Sequence, residues 1–157
     1  MARIIASPGS NAPGSNAHRA DRLHTLLRVG SIMMALPQRQ VRSLELAVDV
    51  ERGAEPPERG VGWIEFARRR WPVYALGPEL ELAPDRALDR GACVLIERDG
   101  GLFGIVVDEV ERCDIDVETP LPPSMRGAST PIEALATLES GVVCLSSARA
   151  LAAWVGA

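Results

Sequence analysis

Few residues in this chain have the type and spacing that catalysis or metal binding requires. The two histidines, His18 and His24, are far along the chain from the three cysteines, so the ligand spacing of a zinc site is missing. Asp108, Glu109 and Glu111 form the closest group of carboxylates, but side chains alternate along a strand, so Asp108 faces away from the two glutamates. We expect these three residues to lie on a solvated strand face rather than to form an acid–base pair.

Known catalytic motifs are also missing from the sequence. It contains no nucleophile elbow, no phosphate-binding loop and no dinucleotide-binding glycine pattern. All 17 basic residues are arginine, and the absence of lysine removes Schiff-base chemistry. The sequence therefore predicts a protein that is not an enzyme, with no catalytic residue, no metal site and no cofactor.

The one concentrated charge is the run Arg68, Arg69 and Arg70, which Trp71 follows directly. Arginine beside an aromatic ring can grip phosphate or stack on a base, so one hypothesis is a small β-barrel nucleic-acid-binding protein that uses Arg68–Trp71. The simpler interpretation is a solvated hairpin with arginines on both sides. Because the net charge is -4, an acidic protein surface is a better partner than nucleic acid.

Length and composition favour a single globular domain. The chain has 157 residues, of which 46% are hydrophobic and 24% are charged, so it can bury a core without disulfides. No apolar run approaches the ~18 residues of a membrane-spanning helix, and no signal peptide is visible in residues 1–21. The three cysteines form no close pair, which is typical of a reducing compartment. We therefore expect a cytoplasmic protein with no direct membrane insertion.

The first residues differ in composition from the rest of the chain. A repeated segment, Pro-Gly-Ser-Asn-Ala, occupies residues 8–12 and again residues 13–17. Glycine, serine and proline bury little apolar surface, and such segments rarely offset the entropy of ordering the chain. We expect residues 1–22 to form a flexible N-terminal tail and residues 23–157 to form the folded domain.

Turn residues between short apolar runs predict a series of hairpins. Gly30-Ser31 separates Leu23–Val29 from Ile32–Leu36, although a helix over residues 19–27 is the alternative. Asp99-Gly100 is the strongest of these signals and separates a strand at 92–97 from a long strand over residues 102–113. Further strands are expected at Trp63–Phe66, Trp71–Leu76, Leu135–Leu138 and Val142–Leu145.

The segment Leu44–Val50 alternates between apolar and polar residues. This pattern predicts a half-buried strand whose apolar side chains face the core. The buried face would carry Leu44, Leu46, Val48 and Val50.

The C-terminal third contains one proline-rich segment and one helix signal. Three prolines make Thr119–Arg126 an extended loop. Ser146 or Ser147 is expected to cap a terminal helix that runs through Trp154 and ends at Gly156. Many short strands and one terminal helix together predict a mostly β barrel fold.

The order of these segments resembles the CheW-like domain family, the adaptor domain of bacterial chemosensory systems. The best match is Leu102–Val110, which is similar to the family's Gly-Leu-Val-Val-Asp-x-Val strand. Trp71–Leu76 resembles the family's Pro-Val-Ile-Asp-Leu strand, and Pro120–Pro123 matches the proline-bearing loop. The resemblance spans residues 23–154.

The resemblance implies a mostly β fold of two interlocked five-stranded SH3-like β-barrels with a short C-terminal helix. It also implies a non-enzymatic adaptor that couples the regulatory domain of a CheA-type histidine kinase to the cytoplasmic tip of chemoreceptors, in chemotaxis or in pilus or surface motility. The partner-binding residues that it implies are Val41, Leu44, Gly62, Arg68, Gly104 and Val107.

Three positions depart from the family pattern. The family's Asn-Leu-Arg-Gly is replaced by Glu65–Arg68, so the arginine is lost or displaced by one position, to Arg68. Ala75 stands at the family's aspartate, and Ser43 stands at a frequent glutamate. These differences predict a divergent member in which the receptor contact is altered.

Overall fold

The computed structural model describes residues 19–126 and 130–157 of the chain. Most of the tail predicted for residues 1–22 therefore lies outside the described residues, while residues 19–22 are helical. The strands are β1 (Leu23–Val29), β2 (Ile32–Pro37), β3 (Val41–Leu46), β4 (Gly62–Phe66), β5 (Arg69–Ala75), β6 (Ala92–Arg98), β7 (Gly101–Val107), β8 (Glu109–Asp114), β9 (Thr119–Pro120), β10 (Ala134–Leu138) and β11 (Gly141–Leu145), followed by helix α1 (Ala148–Val155).

The strands form two sheets, each wrapped around an apolar core of its own. The first barrel has the strand order β8-β1-β2-β11-β10-β9, and the second has the order β3-β6-β7-β5-β4. Leu26, Met33 and Val143 lie inside the first barrel, whereas Val73 and Leu95 lie inside the second. A third and larger core packs the two barrels and α1 together. The prediction of a mostly β fold with two barrels and a C-terminal helix is confirmed, with the two-residue β9 as a sixth strand of the first barrel.

The predicted hairpins are confirmed because their turn residues suit the backbone that each turn needs. Strands β1 and β2 form a hairpin, and only residues 19–22 of the alternative helix over residues 19–27 are helical. Asp99 and Gly100 have φ values of 51° and 77° between β6 and β7, as a tight two-residue turn of type I′ requires. The Ser147 hydroxyl accepts a hydrogen bond from the Ala150 amide at 3.1 Å and caps α1, and Gly156 ends the helix in the left-handed region.

The long strand predicted over residues 102–113 is wrong, because the chain breaks at Asp108 and passes from one barrel to the other. Strand β7 belongs to the second sheet and β8 to the first. The Asp108 carboxylate accepts hydrogen bonds from the Gly30 amide, at 2.7 Å, and from the Arg86 guanidinium. Its own amide donates to the Arg28 carbonyl. Asp108 therefore joins the two barrels, although its side chain remains 37% exposed, and Glu109 and Glu111 are exposed as predicted.

The half-buried strand predicted over residues 44–50 is also wrong in part. Strand β3 ends at Leu46, and residues 47–49 form a 3₁₀ turn. Leu44, Leu46 and Val48 are 53%, 61% and 56% exposed, and only Val50 is buried. The pattern correctly indicated alternation but not which face is covered, because β3 is an edge strand of its sheet.

The proline-rich segment predicted as an extended loop contains regular structure. Residues 119–120 pair with β10 as strand β9, and Pro123–Met125 form a 3₁₀ turn. Proline suits both positions, since it tolerates sheet edges and the first turn of a helix.

Candidate docking groove between the two barrels

The structure places two of the predicted site residues, Val41 and Leu44, in a groove where the barrels meet. The groove has a volume of about 400 Å³ and runs between β3 of the second barrel and β8 of the first. Both strands are the outermost strands of their sheets, so each turns an unpartnered backbone edge toward the groove. This inter-barrel groove is lined by Thr25, Gln38, Val41, Arg42, Ser43, Leu44, Val110, Glu111 and Arg112.

Exposed leucines extend the core between the barrels to the surface of this groove. In the antiparallel pair of β3 and β6, Leu44 lies opposite Val94 and Leu46 lies opposite Ala92. Val94 is 0% exposed and belongs to the core between the barrels. Directly opposite residues lie on the same face of a sheet, so the two leucines carry that apolar face outward from the core. An apolar stripe of this kind, bordered by charged residues, is typical of a protein-binding surface.

Polar contacts position the segment that leads into β3. The Gln40 side-chain carbonyl accepts a hydrogen bond from the Ala148 amide at 2.7 Å, which ties this segment to the N-terminus of α1. The Ser43 hydroxyl donates to the Glu45 carboxylate, on the face of β3 opposite to the leucines. The side-chain carbonyl oxygen of Gln38 (Oε1) is buried and accepts no hydrogen bond from the described residues. A buried acceptor without a donor costs free energy. One hydrogen-bond acceptor in the wall of the groove therefore has no donor among the described residues.

Gly62, Gly104 and Val107 are buried in the structure, and partner contact at these three residues stays a prediction. Val107 is 0% exposed. A side chain at Gly104 would place its Cβ 2.7 Å from the Cys93 sulfur, so glycine is needed there for close packing of β7 on its neighbours. A Cβ at Gly62 would overlap the Glu51 carbonyl. All three residues stabilise the fold.

Arg68 lies at the tip of the β4–β5 hairpin, and no contact among the described residues brings it to the inter-barrel groove. Arg69 lies 4.6 Å from the centre of the Trp71 ring, and Arg70 lies 5.3 Å from the centre of the Trp63 ring. Each indole is thus covered on one face by a guanidinium of the same chain. This arrangement reduces the stacking surface that the nucleic-acid hypothesis requires.

No group of three or more metal-ligating side chains occurs among residues 19–126 and 130–157. Burial, together with the nearby Glu45 carboxylate, raises the pKa of the Cys93 thiol to about 12, so the reactive thiolate is suppressed. No helix in the described part of the chain is both long and apolar enough to cross a bilayer.

Sequence reasoning missed part of the groove. Leu46 and Val48 extend the exposed stripe, and Gln38, Val110 and Arg112 line the groove beside the two predicted residues. The period of β3 could have indicated that Leu46 shares the face of Leu44. The approach of β8 to β3 has no local signal, because the two strands belong to different sheets.

Two β-barrels that share a core and leave an apolar groove between their edge strands define a binding module of the scaffold class. Residues 24–155 match the model of the CheW-like domain family, so the chain belongs to this family. The fold is similar to the crystal structure of the scaffolding protein TtCheW from Thermoanaerobacter tengcongensis, with a TM-score of 0.65 and 20% sequence identity over 80% of this chain and 88% of that chain. No curated protein sequence matches this chain. Membership of the family supports a scaffold in chemotaxis signalling, and the family consists of scaffolding proteins rather than enzymes.

Proposed function

We propose that this chain is a cytoplasmic, non-enzymatic adaptor that binds the regulatory domain of a CheA-type histidine kinase and couples it to chemoreceptors, in chemotaxis or in a related motility pathway. The observation that carries the proposal is an apolar stripe of two exposed leucines. Leu44, 53% exposed, lines the groove between the barrels, and Leu46, 61% exposed, extends the stripe along β3. An exposed apolar stripe beside a groove supports contact with a protein partner.

The stripe can supply part of the binding free energy of a transient complex. Fully burying one leucine side chain contributes about 1.5–3 kcal/mol, so covering the exposed parts of Leu44 and Leu46 contributes on the order of 2–3 kcal/mol together. Arg42, Glu111 and Arg112 at the groove provide charges of both signs that can set the orientation of the partner. A complex in the micromolar range, about -8 kcal/mol, is expected for such a surface.

The receptor contact is proposed to differ from that of typical family members. Ser43 replaces a glutamate that is frequent in the family, and its hydroxyl is held by Glu45. Arg68 is exposed at a hairpin tip, one position from the family's arginine. A charge-reversing change, Arg68→Glu, is expected to weaken receptor binding with a melting-temperature change of no more than about two degrees, because surface substitutions rarely cost more than ~0.5 kcal/mol.

The proposal is tested by calorimetric titration of the full chain with the isolated regulatory domain of a CheA-type kinase from the same organism, and separately with a receptor-tip fragment. The expected result is micromolar binding of the kinase domain that persists when salt is raised. Binding of single-stranded DNA with an affinity that falls steeply with salt, and no binding of the kinase domain by a folded sample, would contradict the proposal.

A further inference from the structure

Strand β10 of the first barrel has a neighbour along only part of its outer edge. The two-residue strand β9 pairs with Ala134 and Leu135 alone. From Ala136 to Leu138, no strand in the described part of the chain pairs with this side of β10, whose other side pairs with β11. The first barrel therefore has an open strand edge at residues 136–138.

The backbone of Thr137 turns its hydrogen-bonding groups toward this open side. A two-residue loop joins β10 to β11, so the flanking residues, Leu138 and Gly141, face each other as a hydrogen-bonded pair. Such residues alternate along the strand with residues whose N–H and C=O groups point to the other side. Leu135 is one of these and meets β9, and Thr137 is the next. The Thr137 N–H and C=O groups therefore have no strand partner among residues 19–126 and 130–157.

A groove of about 450 Å³, the edge groove, lies along this open edge. It is lined by β10, by Val142 of β11 and by residues 114–117, at the end of β8 and beyond it. Its inner side is apolar, because Ile115 and Ala136 belong to the core of the first barrel and the half-buried Leu138 packs against that core. The inner side therefore favours apolar side chains in a segment that pairs with β10.

The outer side of the edge groove is acidic. Asp114 and Asp116 are exposed there, and the lining contains no basic side chain. Arg22 pairs with Asp116 at 3.0 Å, but both side chains are more than half exposed, so water screens this ion pair and it contributes little. Val117 and Val142, also in the lining, are 75% and 57% exposed. A basic side chain with a long aliphatic stem suits this surface, because the stem covers apolar atoms while the charge reaches a carboxylate.

We propose that the open edge of β10 binds an extended segment of a partner protein in which apolar and basic residues alternate. Successive side chains of a strand point to opposite sides, so such a segment would place apolar residues toward Ala136 and Leu138 and basic residues toward Asp114 and Asp116. Backbone hydrogen bonds to Thr137 would fix it as an added strand. This surface is separate from that of the proposed adaptor function, since the edge groove and the inter-barrel groove share no lining residue.

The test is a fluorescence-anisotropy titration of the full chain with a labelled peptide of alternating valine and arginine. The wild type is expected to bind this peptide at least tenfold more tightly than a peptide of alternating valine and glutamate. A valine–arginine peptide that is N-methylated along one edge keeps its charge but loses backbone donors, and it is expected to bind at least tenfold more weakly. Because all three peptides are measured on the wild type, this comparison does not depend on the folding of a variant.

Variants of the chain identify the surface that binds the peptide. Thr137→Pro removes the outward N–H of the edge, which the ladder to β11 does not use, and it is expected to weaken binding at least tenfold. Thr137→Val keeps the N–H and is expected to bind like the wild type. Asp114→Asn/Asp116→Asn is expected to weaken binding at least threefold, whereas Leu44→Asp, in the inter-barrel groove, is expected to leave it unchanged.

Equal binding of the methylated and unmethylated peptides by the wild type would overturn the proposal, because it would show that charge alone attracts the peptide. Failure of the folded wild type to bind the valine–arginine peptide would overturn it as well. Sedimentation of the wild type and Thr137→Pro tests the remaining occupant. A wild-type dimer that dissociates in this variant would assign the edge to a second copy and would contradict binding of a partner protein.

Discussion

Strands β3 and β7 lie on either side of β6 in the same sheet, and both contain apolar residues, yet they differ completely in exposure. Strand β7 is central, and its residues from Phe103 to Val107 are buried because both of its faces are covered by core. Strand β3 is an edge, and it exposes Leu44, at the groove between the barrels, and Leu46 beyond it. The comparison shows that the centre of this sheet stabilises the fold, while its edge remains available to a partner.

The largest loss of stability is expected for a substitution in the central strand β7. Val107→Asp places a charge in the core between the barrels and is expected to cost more than about 4 kcal/mol, so the domain should not fold stably. Leu44→Asp makes the same chemical change on the exposed edge and is expected to stay within about 1 kcal/mol of the wild type. Urea unfolding of both variants checks this, and similar losses in the two would break the distinction between centre and edge.

A smaller loss of stability is expected for a substitution of Asp108, between β7 and β8. The Gly30 amide hydrogen bond, aided by Arg86, lowers the pKa of Asp108 against the opposing effect of burial. Asp108→Asn is expected to cost about 1–2 kcal/mol at neutral pH, because it weakens charge-assisted hydrogen bonds at a partly exposed site.

The pH dependence of this loss follows from the direction of the pKa shift. A carboxyl group whose pKa is lower in the folded state stabilises the fold above its unfolded pKa of about 3.9, and this contribution is lost as the pH falls through the folded pKa. The stability difference between wild type and Asp108→Asn should therefore narrow on acidification from pH 7 to pH 3. A difference that stays constant in urea titrations over this range would exclude the ionised carboxylate as the link between the barrels.

The smallest change in stability, a gain, is expected at the tip of the β4–β5 hairpin in the second barrel. Ala67 and Arg68 have φ values of 51° and 62°, whereas the other tight turn in this sheet uses glycine at its second position. Arg68→Gly is expected to stabilise the domain by about 0.5–1 kcal/mol, because glycine adopts positive φ without steric cost. Thermal unfolding measures this change. A loss of stability would show that the Arg68 side chain itself contributes to the fold.

Much of the fold could be predicted from the sequence because its hairpins and helix depend on local residues. Asp99-Gly100 forms a turn and Ser147 caps a helix through contacts within a few residues of the chain. Both features could therefore be predicted without knowledge of the tertiary structure. The break at Asp108 could not be predicted in this way. Its causes, Gly30 and Arg86, are distant in sequence, and the apolar pattern continues through it.

The candidate site was less predictable than the fold. Alternation in β3 indicates which residues share a face of the strand. It does not indicate whether that face is covered by a core, so the exposure of Leu44 and Leu46 could not be predicted. Gly62 and Gly104 were selected by resemblance, and only the packing around each shows that glycine is required by close neighbours. The groove itself arises from two sheets that meet, which no local pattern encodes.

The central claim, that the exposed edge at the inter-barrel groove is the docking surface, is tested most directly by one calorimetric comparison. The regulatory domain of a CheA-type kinase is titrated into the wild type, Leu44→Asp and Val142→Asp, the last being a similarly exposed apolar position, 57%, on β11 of the first barrel. The account predicts a Kd at least tenfold weaker for Leu44→Asp, or about 1.4 kcal/mol, and an unchanged Kd for Val142→Asp. An unchanged Kd for a folded Leu44→Asp variant would contradict it.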